Sequence, residues 1–108
     1  MFKTNDNKGF HITFPNGITL STQFGGGNYC QNYNFPIGRE REQGNIESED
    51  AEIAIWNEKK WITDKMIVKL FPEKEYPDSV LGNVKIEEWL KIFDWCRNYR
   101  EETDQKGD

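Results

Sequence analysis

Phe10-His11-Ile12-Thr13-Phe14-Pro15-Asn16-Gly17-Ile18-Thr19-Leu20-Ser21-Thr22-Gln23-Phe24 is the stretch that decides the architecture. Phe10, Ile12 and Phe14 fall on one side of a period-two run, and Ile18, Leu20, Thr22 and Phe24 fall on one side of a second. Between them stands Pro15-Asn16-Gly17. Asn-Gly between two alternating runs marks a hairpin, because both residues tolerate positive φ. An antiparallel sheet therefore starts here.

Downstream, Ala51-Glu52-Ile53-Ala54-Ile55-Trp56 reads as a third strand and Asn57 to Lys60 as a polar turn. Trp61-Ile62-Thr63 opens a fourth strand, and the β-prone run Met66 to Phe71 is a fifth or a continuation of the fourth. Pro72 and Pro77 bracket a loop, and Val80-Leu81 adds a short edge strand. From Val84 to Arg100 the period becomes helical: Ile86, Trp89, Leu90, Phe93, Cys96, Arg97 and Arg100 lie on one stripe. Glu87 and Glu88 suit the first turn and Arg97 and Arg100 the last. The expected fold is α+β: an antiparallel sheet, made of the N-terminal hairpin plus two or three further strands, covered by a C-terminal amphipathic helix. One domain spans 1–108, with a mobile segment near 38–50 and a frayed tail at 101–108. One helix leaves a sheet face short of cover, which predicts association with a second copy.

Composition narrows the function. The chain has 108 residues and a formal net charge of −5, which argues against a nucleic-acid polymer as partner. A small nucleotide remains compatible, since a few well-placed Arg or Lys side chains can hold one or two phosphates on an acidic protein. No apolar run approaches the roughly 20 residues of a membrane span, and no export signal is visible at the N-terminus. Cys30 and Cys96, the only cysteines, read as reduced thiols, and a cytoplasmic location is expected.

No metal or cofactor is expected, because His11, Cys30 and Cys96 lack zinc-ligand spacing. A Cys30–His11 pair has no flanking signature and no orienting partner, so no catalytic residue is assigned and the chain reads as a binding protein. Gly25-Gly26-Gly27 follows a strand. It reads equally as a bend at the sheet edge and as a nest of backbone N–H groups for an anion. Asn28-Tyr29-Cys30-Gln31-Asn32-Tyr33 adds amides and phenols that can meet a base or ribose, or can pack as a polar loop. Arg97 and Arg100 either snorkel or reach a phosphate. Trp56 stands out of phase with Ile53 and Ile55, half exposed or packed on a second face.

The runs Lys8 to Gly17, Ser21 to Cys30 and Ala51 to Trp56, with the helix bearing Trp89, resemble small bacteriophage proteins, and most closely the Thoeris anti-defence family. That family sequesters cyclic ADP-ribose signals. The resemblance implies homodimers that build into hexamers. It also implies tight, non-hydrolytic capture of a cyclic nucleotide messenger of the glycocyclic ADP-ribose type, with cyclic oligonucleotides held in separate sites. In that setting Gly25, Gly26, Gly27 and Asn28 would contact phosphate or base, Arg97 or Arg100 the pyrophosphate, and Phe71 or Trp56 would stack on adenine. Phe24, Tyr29 and Asn83 complete the candidate ligand-binding set. The competing reading is a phage protein-interaction module that inhibits a host protein, with the charged run Arg39 to Asp50 as its contact.

Overall fold

A computed structural model describes residues 1–6, 8–36, 44–75 and 79–101. The core of the predicted mobile segment, Arg39 to Gln43, and the tail beyond residue 101 lie outside the described residues. Five strands form one antiparallel sheet in sequence order: β1 (Phe2–Thr4), β2 (Gly9–Thr13), β3 (Thr19–Gln23), β4 (Ala51–Trp56) and β5 (Leu81–Val84). Two helices complete the α+β fold: α1 (Thr63–Leu70) and α2 (Ile86–Asn98).

The predicted hairpin is β2–β3, in the register Phe10↔Thr22 and Ile12↔Leu20. Gly17 takes φ +89, which its missing Cβ permits, and its N–H donates to Phe14 O at 2.9 Å. Asn16 does more than turn the chain. Its Oδ1 accepts from Ile18 N, while its Nδ2 donates to Cys96 O at 2.9 Å and Tyr99 O at 3.2 Å. The last carbonyls of a helix have no partner within it, so one turn residue both closes the hairpin and fixes the end of α2 against it.

Leu20, Ile53 and Ile55 lie on one sheet face, fully buried under Met66 and Ile67 from α1 and Ile92 and Cys96 from α2. The opposite face carries small and polar side chains on its central strand. There Thr13 Oγ1 lies 2.9 Å from Thr19 Oγ1, and Gln23 Nε2 donates to Ser21 Oγ. Among the described residues no buried side-chain nitrogen or oxygen lacks a partner.

Three expectations need correction. Met66 to Phe71 is not a strand, and Trp61 makes only an isolated bridge to Trp56 before α1 begins at Thr63. Buried residues recur at helical spacing here: Ile62 and Thr63, then Met66 and Ile67, then Phe71. Asp64 in the first turn and Lys69 in the last favour a helix. Thr63, fully buried, accepts Ile55 N at 2.9 Å through Oγ1 and so completes β4 where β5 has ended. The second correction is the phase of α2. Ile86 and Leu90 are 69% and 57% exposed, and the helix packs instead through Trp89, Ile92, Phe93 and Cys96. The third is β1, which the sequence reading did not include: Phe2↔Ile12 pairing extends the sheet by one exposed edge strand.

The phase of α2 is directly testable. Ile92→Ala should lower unfolding free energy by roughly 2–5 kcal/mol, while Leu90→Ala should stay within about 0.5 kcal/mol. Denaturant midpoints measure both, and the opposite order would restore the stripe centred on Leu90.

Candidate functional site

The glycine-rich segment leaves β3 and is drawn back onto the sheet by two carboxylates from the strand that follows it. Glu52 accepts Asn28 Nδ2 through Oε1 at 3.0 Å and Tyr29 N through Oε2 at 3.2 Å. Asp50 accepts Gln31 N at 2.7 Å and Asn83 Nδ2 at 3.0 Å, and shares a third contact with the Ser48 hydroxyl. Within the loop, Gly25 N donates to Asn28 Oδ1 and Gly27 N to Tyr33 O. The structure therefore brings Phe24, Gly25, Gly26, Gly27, Asn28, Tyr29 and Asn83 together. It turns the N–H groups of Gly25, Gly27 and Tyr29 inward, and the carboxylate on Asn28 and Tyr29 is the protein's own. The N–H groups of Gly25, Gly27 and Tyr29 are thus engaged within the protein, an arrangement that the bend reading expects.

Asn83 takes φ +55 in β5, and its N–H donates to Tyr29 O at 2.9 Å. Gly82 allows that approach, because a Cβ there would lie 2.6 Å from Tyr29 Cβ. The loop presents an aromatic pair outward: Tyr29 and Tyr33 stack in parallel, centroids 5.6 Å apart, both exposed. Gly44 to Asp50 is joined to the same loop, with Asn32 Nδ2 donating to Glu47 O and Glu49 N to Gln31 Oε1.

The other predicted contacts lie elsewhere. Trp56 shares a sheet face with Glu52 but sits four residues away, about 13 Å along the strand. It packs against His11 and the exposed Trp61. Phe71 belongs to the hydrophobic core, 6% exposed with the Lys74 ammonium 5.5 Å from its ring, so it has no free face for a base. Arg97 is held by Asp94 at 2.7 Å. Arg100 alone of the predicted cations lines a large groove.

That groove runs between α1 and α2 and has a volume of about 920 Å³. Lys65, Val68 and Lys69 come from α1; Lys91 and Trp95 come from α2, with Tyr99 and Arg100 just beyond it. Four cations thus face two carboxylates, Asp64 and Asp94, on a chain whose net charge is −5. Trp95 and Tyr99 pack at 4.8 Å, and Lys65 Nζ lies 3.5 Å from the Tyr99 hydroxyl. Among the described residues Lys69, Lys91 and Arg100 make no ion pair. Sequence reasoning missed all of these but Arg100. Lys65/Lys69 and Lys91/Trp95 each stand four apart, the helical spacing that puts a pair on one face.

Neither thiol is poised for attack. Burial pushes Cys96 up to about 12. Burial also raises Cys30, against a hydrogen bond from Asn32 N, and its Sγ donates to Gly25 O at 3.7 Å. His11, lowered by burial and by Lys3, lies 3.2 Å from Asn5 Nδ2 and edge-on to Trp56. Among the described residues no group of three or more His, Cys, Asp or Glu side chains is placed to hold a metal ion, and no helix is long and apolar enough to cross a membrane.

Comparison of the chain with protein-family models, with curated proteins and with solved structures returns no match.

Asp50 gives the loop a pH signature. Desolvation alone would raise its pKa, but hydrogen bonds from Asn83, Gln31 and Ser48, with Lys85 nearby, bring it below the ordinary 3.8. A depressed carboxylate contributes stability that is complete above the unfolded pKa and is lost as pH falls through the folded one. Asp50→Asn should therefore be less stable than the parent at neutral pH, with the gap closing between about pH 5 and pH 2. Thermal unfolding across that range measures it, and a gap constant with pH would contradict the assignment.

Proposed function

We propose that this chain is a non-catalytic binding protein that captures a small anionic nucleotide messenger, of the glycocyclic ADP-ribose type, in the groove between α1 and α2. The observation that carries this reading is the groove itself: three cations that make no ion pair among the described residues, beside two aromatic rings, on an otherwise acidic protein. Lysine and arginine bind phosphate by charge-assisted hydrogen bonds, and Trp or Tyr offers an aromatic face for a base. The groove's volume of about 920 Å³ falls within the range of small-molecule sites, roughly 300–1,000 Å³. The likeness to Thoeris anti-defence sponges supplies the messenger class and the phage setting.

Capture without conversion fits the chemistry of the thiols, whose raised pKa values disfavour the thiolate. Subunit association belongs to the same proposal. Val68 and Leu90 are 66% and 57% exposed on the helical layer, and Val68 lines the open side of the groove, where a second copy would close it.

Calorimetric titration with glycocyclic ADP-ribose should give binding on the order of 1–100 nM, and heating should release the ligand unchanged. Lys69→Ala and Arg100→Ala should each weaken it about tenfold or more, while Lys60→Ala, on the turn after β4, should leave it unchanged. Sedimentation should show an oligomer at micromolar concentration. Absence of binding by folded protein, or turnover of the nucleotide, overturns the reading.

A further inference from the structure

A second cavity, of about 330 Å³, opens on the other side of α2, where that helix meets β2, β3 and the segment entering β4. Its floor is apolar and largely aromatic. Phe10 and Trp89 meet edge to face at 6.3 Å, Phe24 and Val84 line it beside them, and the Trp89 indole N–H donates to Thr22 Oγ1 at 2.8 Å. That hydrogen bond satisfies the only strong donor on the Trp89 side chain and fixes the orientation of its ring.

The mouth differs in kind. Glu47, Glu49 and Asp50 line it, the first two exposed and the third half-buried; among the described residues no lysine or arginine lines it, and Lys85 is the cation near Asp50. Glu47 and Glu49 make no ion pair among the described residues. Asp50 is held ionised by its hydrogen bonds. An aromatic floor under a carboxylate mouth matches one ligand shape: an apolar body that enters the cleft and a cationic end that stays at the rim. Burying the body gains roughly 25 cal/mol per Å². The cation gains attraction to three carboxylates, and to the faces of the rings where it reaches them.

We propose that this cleft is a binding site for a small amphipathic organic cation, an ammonium or guanidinium group on an aryl or alkyl body. It is separate from the interhelical groove and opposite to it in charge, and it stands whether or not the groove binds a nucleotide.

The probe is phenethylammonium, with phenethyl alcohol as its neutral counterpart, titrated into isotopically labelled full-length protein. The readout is the Trp89 indole N–H resonance, assigned with Trp89→Phe. The ammonium should shift that resonance saturably and bind about tenfold more tightly than the alcohol. The surface variant E47Q/E49Q, which touches no core contact, should remove most of that difference, and so should high salt. Equal affinity for ammonium and alcohol overturns the proposal. So does the absence of any saturable shift at Trp89, or a preference for the ammonium that survives E47Q/E49Q unchanged.

Discussion

Two carboxylates at the entrance to β4 hold the loop side of this molecule together. Glu52 and Asp50 take hydrogen bonds from Asn28, Tyr29, Gln31 and Asn83, donors contributed by the loop after β3 and by β5. A glycine-rich segment has a large conformational entropy to lose on ordering. Charge-assisted hydrogen bonds are about twice as strong as neutral ones, and four of them converge within three residues of sequence. The same geometry decides what the loop can bind. Gly25 N and Gly27 N are taken up by Asn28 Oδ1 and the Tyr33 carbonyl, Tyr29 N and Gln31 N by Glu52 and Asp50, and the two carboxylates repel an external anion nearby. Outward the loop presents the stacked pair Tyr29 and Tyr33, an aromatic surface.

Positive charge is gathered instead in the groove between the two helices. Its position follows from two local constraints. Thr63 caps the open hydrogen-bonding edge of β4 through Ile55 N, which starts α1 at the point where β5 no longer pairs. Asn16 holds the last carbonyls of α2 to the hairpin turn. These contacts fix the two helices against one sheet face, and Lys65, Lys69, Lys91 and Arg100 line the groove between them. Ile92 and Cys96 point into the core, which leaves Lys91 and Trp95, their neighbours along the helix, to face α1.

The hairpin was legible because its signals are local: a period of two, and an Asn-Gly turn whose geometry needs no distant partner. The strand Ala51–Trp56 was legible for the same reason. α1 was not, since Met66-Ile67-Val68 favours strands by residue type, and eight residues give barely two turns in which a helical period can show itself. The phase of α2 was misjudged because Ile86 and Leu90 are apolar yet exposed, so hydrophobicity alone placed the stripe one position too far round. β1 carries three exposed residues and no alternation to read. The glycines announced an unusual backbone, but whether their loop binds an anion depended on Glu52, which stands more than twenty residues downstream and meets it only in the fold. The groove was the least legible feature of all. It needs two helices in register, and the residue types of one of them favour a strand.

Net charge governs how such a protein repels or attracts at a distance; the lining of a site governs what it holds. At physiological ionic strength the Debye length is about 8 Å. Beyond that distance the −5 of the chain is largely screened, and within it an approaching ion meets only the nearest side chains. Among the described residues the groove sets four cations against two carboxylates, while the cleft on the other side of α2 is lined by three carboxylates and by no lysine or arginine. One helix thus separates two environments of opposite sign. Trp89 and Trp95 make the separation physical, because each ring lines one of the two cavities from the same helix. Each cavity thus takes its sign from the side chains that line it, and not from the charge of the chain as a whole.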